Sequence, residues 1–154
     1  MDETEPAGWT ARAIVAAGMA SVAALFAFLF LYGDRQAATG STGVWLFVGE
    51  VILFHGVGGL VAGAALAGLF GRRGTAGWPL AAFGGVLATL LAGLIGGVLS
   101  GVPTLLSGGS PVTEAIRLGA ATVVTPLAVA AAPLLGAVWA VAMAALHLLA
   151  RAAR

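Results

Sequence analysis

Four long apolar stretches, residues 13–32, 44–70, 79–106 and 118–150, take up most of this 154-residue chain, and every charged residue but Glu50 lies outside them. Each stretch reaches the roughly 20 residues needed to cross about 30 Å of hydrocarbon. Backbone N–H and C=O groups find no water partner at that depth, so runs of this length are helices. The alternating segments of about ten residues that build a membrane barrel do not occur in the sequence. Only 8% of residues are charged against 60% hydrophobic. A soluble domain carries about a quarter charged residues. The expected fold is an all-α membrane protein: a four-transmembrane-helix bundle with glycine-rich packing, both termini cytoplasmic, and a single membrane domain over 1–154. The opening Met1-Asp2-Glu3-Thr4-Glu5-Pro6 is acidic where a secretory leader is basic, so the first stretch reads as a retained helix.

Arginine sets the orientation. Arg12 precedes the first stretch, Arg72 and Arg73 separate the second from the third, and Arg151 and Arg154 follow the fourth. The other two connectors, 33–43 and 107–117, hold Arg35 beside Asp34, and Arg117 close to Glu114. Basic residues in short loops stay on the cytoplasmic side, which places both ends and the Arg72-Arg73 loop there. Trp9, Trp45 and Trp78 fall at helix ends, where an indole favours the headgroup level. Trp139 breaks that pattern, lying about 18 Å before Arg151 and so near mid-membrane. With a preference for Arg, Ala, Gly and Leu that fits a GC-rich bacterial genome, the expected location is a bacterial inner (cytoplasmic) membrane, as a multi-pass protein.

The fourth stretch is too long for one straight crossing. Its thirty-odd residues make about 50 Å of helix. Pro126 and Pro133 lie inside it, each lacking a backbone donor and crowding the turn before it. The expectation is a kinked, tilted helix or a short outer segment that bends before crossing. Ser110-Pro111 followed by Glu114 reads as a helix start. Thr122 and Thr125 are expected to bond back to the backbone that Pro126 frees.

Glycine, with 24 residues, is the strongest internal pattern. At 100° per residue Gly85, Thr89, Gly93, Gly96, Gly97, Ser100 and Gly101 share one side of the third helix. Leu87, Leu90, Leu91, Leu94 and Val98 share the other. Gly93, Gly97 and Gly101 form a repeated small-xxx-small series, which lets two membrane helices approach closely. Gly56, Gly59 and Gly63 make a similar stripe on the second helix. The plain reading is packing of the second helix on the third inside one protomer, and the sharper one is contact between subunits.

Two ionisable residues inside the second helix are the candidate intramembrane polar site. Glu50 lies roughly 9 Å from the helix start at 44. A carboxylate in a span is costly, so it marks a proton or cation site, a buried contact, a group that reaches water at the outer surface, or a protonated and hydrogen-bonded acid. It lies almost opposite the Gly59 stripe. His55, about 140° further round, is near the bilayer centre. Such a histidine could bind haem or chlorophyll or relay protons, though bonding to a neighbouring carbonyl is commoner. His147 lies about 6 Å before Arg151, at a different depth, which rules out bis-histidine haem within one protomer.

The chain has no cysteine and no lysine. That removes disulfides, thiolate metal sites and cysteine nucleophiles, and Schiff-base retinal or pyridoxal phosphate. A net charge of +1 without a basic tract gives no footprint for nucleic acid. No Walker loop, zinc spacing, nucleophile elbow or carboxylate pair occurs, so an enzyme is not expected. Length and glycine content are similar to the proteolipid rotor subunits of vacuolar-type ATPases. Those carry their ion-binding carboxylate mid-membrane on a later helix, whereas the fourth stretch here has no acid. The functional expectation is a non-catalytic subunit or assembly component of a larger bacterial membrane complex, its partners being lipid and other membrane subunits. The alternative is a small oligomeric transporter or channel with Glu50 and His55 on a proton or cation pathway.

Overall fold

The computed structural model describes residues 8–34 and 42–154. The connector residues Arg35 and Thr39 lie outside that set, as do the side chains of Trp45, Glu114, Arg117 and Thr125. The described residues form five α-helices: α1 (Trp9–Asp34), α2 (Thr42–Leu66), α3 (Gly77–Leu106), α4 (Pro111–Ala131) and α5 (Pro133–Ala152). A single 3₁₀ turn, Ala67–Leu69, extends α2. No strand occurs among the described residues. Four helices carry segments long and apolar enough to cross a membrane: Trp9–Leu31, Val48–Leu69, Gly77–Leu106 and Pro133–Ala152.

α2 runs antiparallel to α1, α3 to α2, and α5 to α3. Gly59 of α2 meets the Met19 carbonyl of α1, and Gly63, one turn later, meets Val15, one turn earlier. Gly58 meets Ala92 of α3, while His55 meets Gly96. Gly85 meets Met143 of α5, and Gly77 meets His147. The ring closes where Gly18 of α1 packs on Leu146 of α5.

The long fourth stretch is two helices in series. Ala132, at φ −122° and ψ 103°, leaves the helical region, and Pro133 starts α5. The ring of a proline disfavours α geometry in the residue before it, which accounts for the break at 132. The first of the two is not short, however: α4 spans 21 residues. It starts at Pro111, and Pro126 sits inside it without ending it. Thr122 does bond backwards, but to Leu118 O at 2.9 Å. Proline at 126 frees the carbonyl of Thr122 itself, one turn on, so this bond is ordinary helix back-bonding.

The core is gathered at one end of the bundle. Ala11, Val15 and Met19 of α1 meet Ala62 of α2, Ala67 of the 3₁₀ turn and Phe70 after it, with Ala81 and Ala88 of α3 and Met143, Leu146 and Ala150 of α5. Small residues dominate this set, so the backbones come close and dispersion between them holds the helices together. On α3 the buried residues are Gly84, Gly85, Ala88, Thr89, Ala92, Gly93, Gly96, Gly97 and Gly101, with Gly77 and Ala81 at its start. Val86, Leu94 and Val98 face outward.

The stripe of Gly56, Gly59 and Gly63 sits against α1, not against α3. A Cβ at Gly63 would lie 2.7 Å from Val15 O, and one at Gly56 would lie 3.7 Å from Ala24 Cβ. The approach of α2 to α3 uses Gly58 and Gly96 instead. A helix flanked by two neighbours needs small residues on two faces, and Gly58 is turned 100° from Gly59.

Candidate functional site

The sequence-selected polar residues fall in three separate places. The first is inside the bundle. His55 is 7% exposed and its Nδ1–H donates to Val51 O at 2.9 Å. With Met19, Val22, Ala23, Thr89, Ala92 and Gly93 it lines a small cavity between α1, α2 and α3. The cavity has room for about one water molecule. Thr89 Oγ1 donates to Gly85 O at 2.8 Å and accepts from the Trp139 indole N–H at 3.1 Å. The cavity is thus shared by the imidazole of α2 and the hydroxyl of α3, and the indole of α5 bonds to that hydroxyl. Trp139 stands out in the sequence as the tryptophan away from a helix end. An indole N–H at that depth requires an acceptor, and Thr89 supplies it.

The second place is the side of the bundle. Glu50 lies two residues inside the apolar segment Val48–Leu69 and is exposed. Its neighbours one turn to either side, Leu46 and Leu53, are 72% and 62% exposed. The face continues through the exposed Val57, Leu60 and Val61. Glu50 thus stands on an apolar lateral surface, while His55 turns inward.

The third place is the end where α1 begins, α3 begins and α5 finishes. Gly71, at φ +71°, reverses the chain between α2 and α3, and a Cβ there would lie 2.7 Å from the Ala150 backbone. Its N–H donates to His147 Nδ1 at 3.1 Å. His147 is 1% exposed, and its ring lies 4.7 Å from that of Trp78 at a 40° tilt. Because Nδ1 accepts, the proton of this neutral ring is on Nε2, which is buried and has no hydrogen-bond partner among the described residues. Beside the loop, Arg154 Nη2 donates to the carbonyls of Phe70 (2.8 Å), Gly68 (3.3 Å) and Ala67 (3.5 Å). Arg72 Nε donates to the same Gly68 O at 2.8 Å. These carbonyls lie in and just after the 3₁₀ turn that ends α2, where cations are favoured; the one of Ala67 also accepts the Phe70 N–H at 3.1 Å. Partial burial, and then the Arg72 charge, lower the Arg154 guanidinium pKa from its ordinary value.

His55 and His147 are far apart. They sit against Gly96 and Gly77 of α3, which at 1.5 Å per residue are about 28 Å apart along the helix. No group of three or more His, Asp or Glu side chains is arranged to hold a metal among the described residues. Comparison with protein-family models, with characterised proteins and with solved structures finds no match.

Proposed function

We propose that this chain is a non-catalytic subunit or assembly component of a larger bacterial inner-membrane complex, docked through the lateral face of α2. The observation that carries this reading is Glu50, an acid exposed on an otherwise apolar helix face. A carboxyl group facing lipid costs energy that a partner's donor would recover. Inside the bundle, by contrast, Thr89 and Trp139 satisfy one another and His55 has a carbonyl. A transport pathway through Glu50 and His55 draws less support, since one faces outward and the other lines a small cavity inside the bundle. Glycine-rich packing belongs to the same proposal: close contacts free the bundle's outer faces for other subunits.

Replacement of Glu50 tests the docking face. Glu50→Leu should insert and fold as the parent does, because the costly group is gone, but its complex should weaken. Glu50→Gln separates two forms of the contact. Weakening with both substitutions points to ionisation or a proton, and weakening with Leu alone points to a neutral hydrogen bond. Unchanged co-purification of the partner with both would remove Glu50 from the interface.

We place the arginine-bearing end in the cytoplasm. Arg12, Arg72, Arg73, Arg151 and Arg154 all belong to that end, and the positive-inside rule orients it. Reporter fusions after Arg73 and after Arg154 should read cytoplasmic, and a fusion near Thr39 periplasmic. A periplasmic reading at Arg73 would reverse the orientation.

A further inference from the structure

We propose that Arg72 and Arg154, flanked by Arg73 and Arg151, bind the phosphate of an anionic lipid headgroup. The inference rests on the paired guanidinium groups and not on the complex proposed above. Two arginines from distant parts of the chain converge on one oxygen, Gly68 O, at 2.8 and 3.3 Å. Like charges at that spacing repel, and no ion pair to Asp or Glu offsets them among the described residues. Three helix-end carbonyls take up Nη2 of Arg154 and one takes up Nε of Arg72. The remaining N–H groups of both side chains have no protein acceptor among the described residues. An arginine fork is suited to two oxygens of one phosphate.

The level of the pair argues for a lipid. Arg72 lies three residues beyond the apolar segment ending at Leu69, and Arg154 two beyond the segment ending at Ala152. That is the headgroup level, where basic residues next to a span attract anionic lipid. Arg73 and Arg151 are exposed and add charge on the same side. Trp78, 47% exposed at the first turn of α3, offers an apolar ring for the glycerol and upper acyl region.

The test is native mass spectrometry of the full chain in neutral detergent. Equal amounts of phosphatidylglycerol and phosphatidylcholine are supplied, with and without millimolar inorganic phosphate. The parent chain should retain phosphatidylglycerol in at least about tenfold preference. The Arg72→Gln, Arg154→Gln double substitution should abolish the preference, while Arg12→Gln, at the same end but off the pair, should preserve it. Equal retention of both lipids by the parent overturns the proposal without reference to any variant. So does a preference lost as readily with Arg12→Gln, which would make it bulk charge. Displacement of the lipid by inorganic phosphate would assign the pair to free phosphate and overturn the lipid assignment. If the double glutamine chain does not fold, Arg72→Lys with Arg154→Lys replaces it. Lysine keeps the charge but loses the fork, so a lowered preference supports the bidentate site and an unchanged one contradicts it.

Discussion

A Gly59→Leu chain should fail to form the bundle, with a loss of at least about 3 kcal/mol, at the upper end of what overpacking costs. A Cβ at this position meets the carbonyl oxygen and carbon of Met19 and then Ala23 Cβ. Two of those three atoms are backbone, so no rotamer change makes room and α1 must move as a body. That would open the α1–α2 seam, which Gly63 extends one turn away. The contrast is Leu60→Ile on the next residue, which is half exposed on the lateral face and should leave the fold unchanged. Far-UV circular dichroism with size-exclusion in detergent distinguishes them. Gly59→Leu should aggregate or elute expanded; a parent-like profile would mean that the two helices are not in backbone contact.

Gly71→Ala should cost about 3 kcal/mol, from three sources that share one residue. The backbone is at φ +71°, where a Cβ adds roughly 1–2 kcal/mol. The new methyl group would lie 2.7 Å from the Ala150 carbonyl carbon. Any shift that relieves the contact strains the Gly71 N–H bond to His147 Nδ1, a buried bond worth about 1 kcal/mol. Gly74→Ala is the internal control. Its φ is +84°, but nothing lies within 4 Å of the added Cβ, so only the backbone term applies. Thermal unfolding in one detergent should rank parent, Gly74→Ala and Gly71→Ala in descending order. Equal loss at 71 and 74 would show that the loop does not seat on the end of α5.

Much of this fold is legible in the sequence because lipid imposes a single requirement, apolar length. The expected stretches at 13–32, 44–70 and 79–106 correspond to α1, α2 with its 3₁₀ turn, and α3. The two prolines of the fourth stretch announce a departure from a straight helix. They do not say which one breaks it: Pro126 sits within α4, and Pro133 ends the helical run at Ala132. Periodicity also finds Gly56, Gly59 and Gly63 without naming the neighbour they meet. Helical angle orders the residues of one helix and is silent on what stands opposite, so it does not mark Gly58 as the contact to α3.

The polar site was legible only in part, for the same reason. Glu50 is conspicuous as an acid in a span, and its angle away from Gly59 agrees with an outward position. His147 is different. Its partner is a backbone N–H at Gly71, reached only when α5 folds back to the start of α3. Nothing local at 147 or at 71 announces that bond. The convergence of Arg72 and Arg154 on Gly68 O is hidden likewise, because orientation rules count arginines by loop and say nothing of where their side chains meet.

The central claim, that the α2 lateral face docks this chain to other membrane subunits, is tested most directly by extracting the parent chain from its native membrane in a mild detergent and identifying what co-purifies by mass spectrometry. The account predicts unrelated membrane chains at fixed stoichiometry. Recovery of the chain alone, or only as an assembly of its own copies, would contradict it.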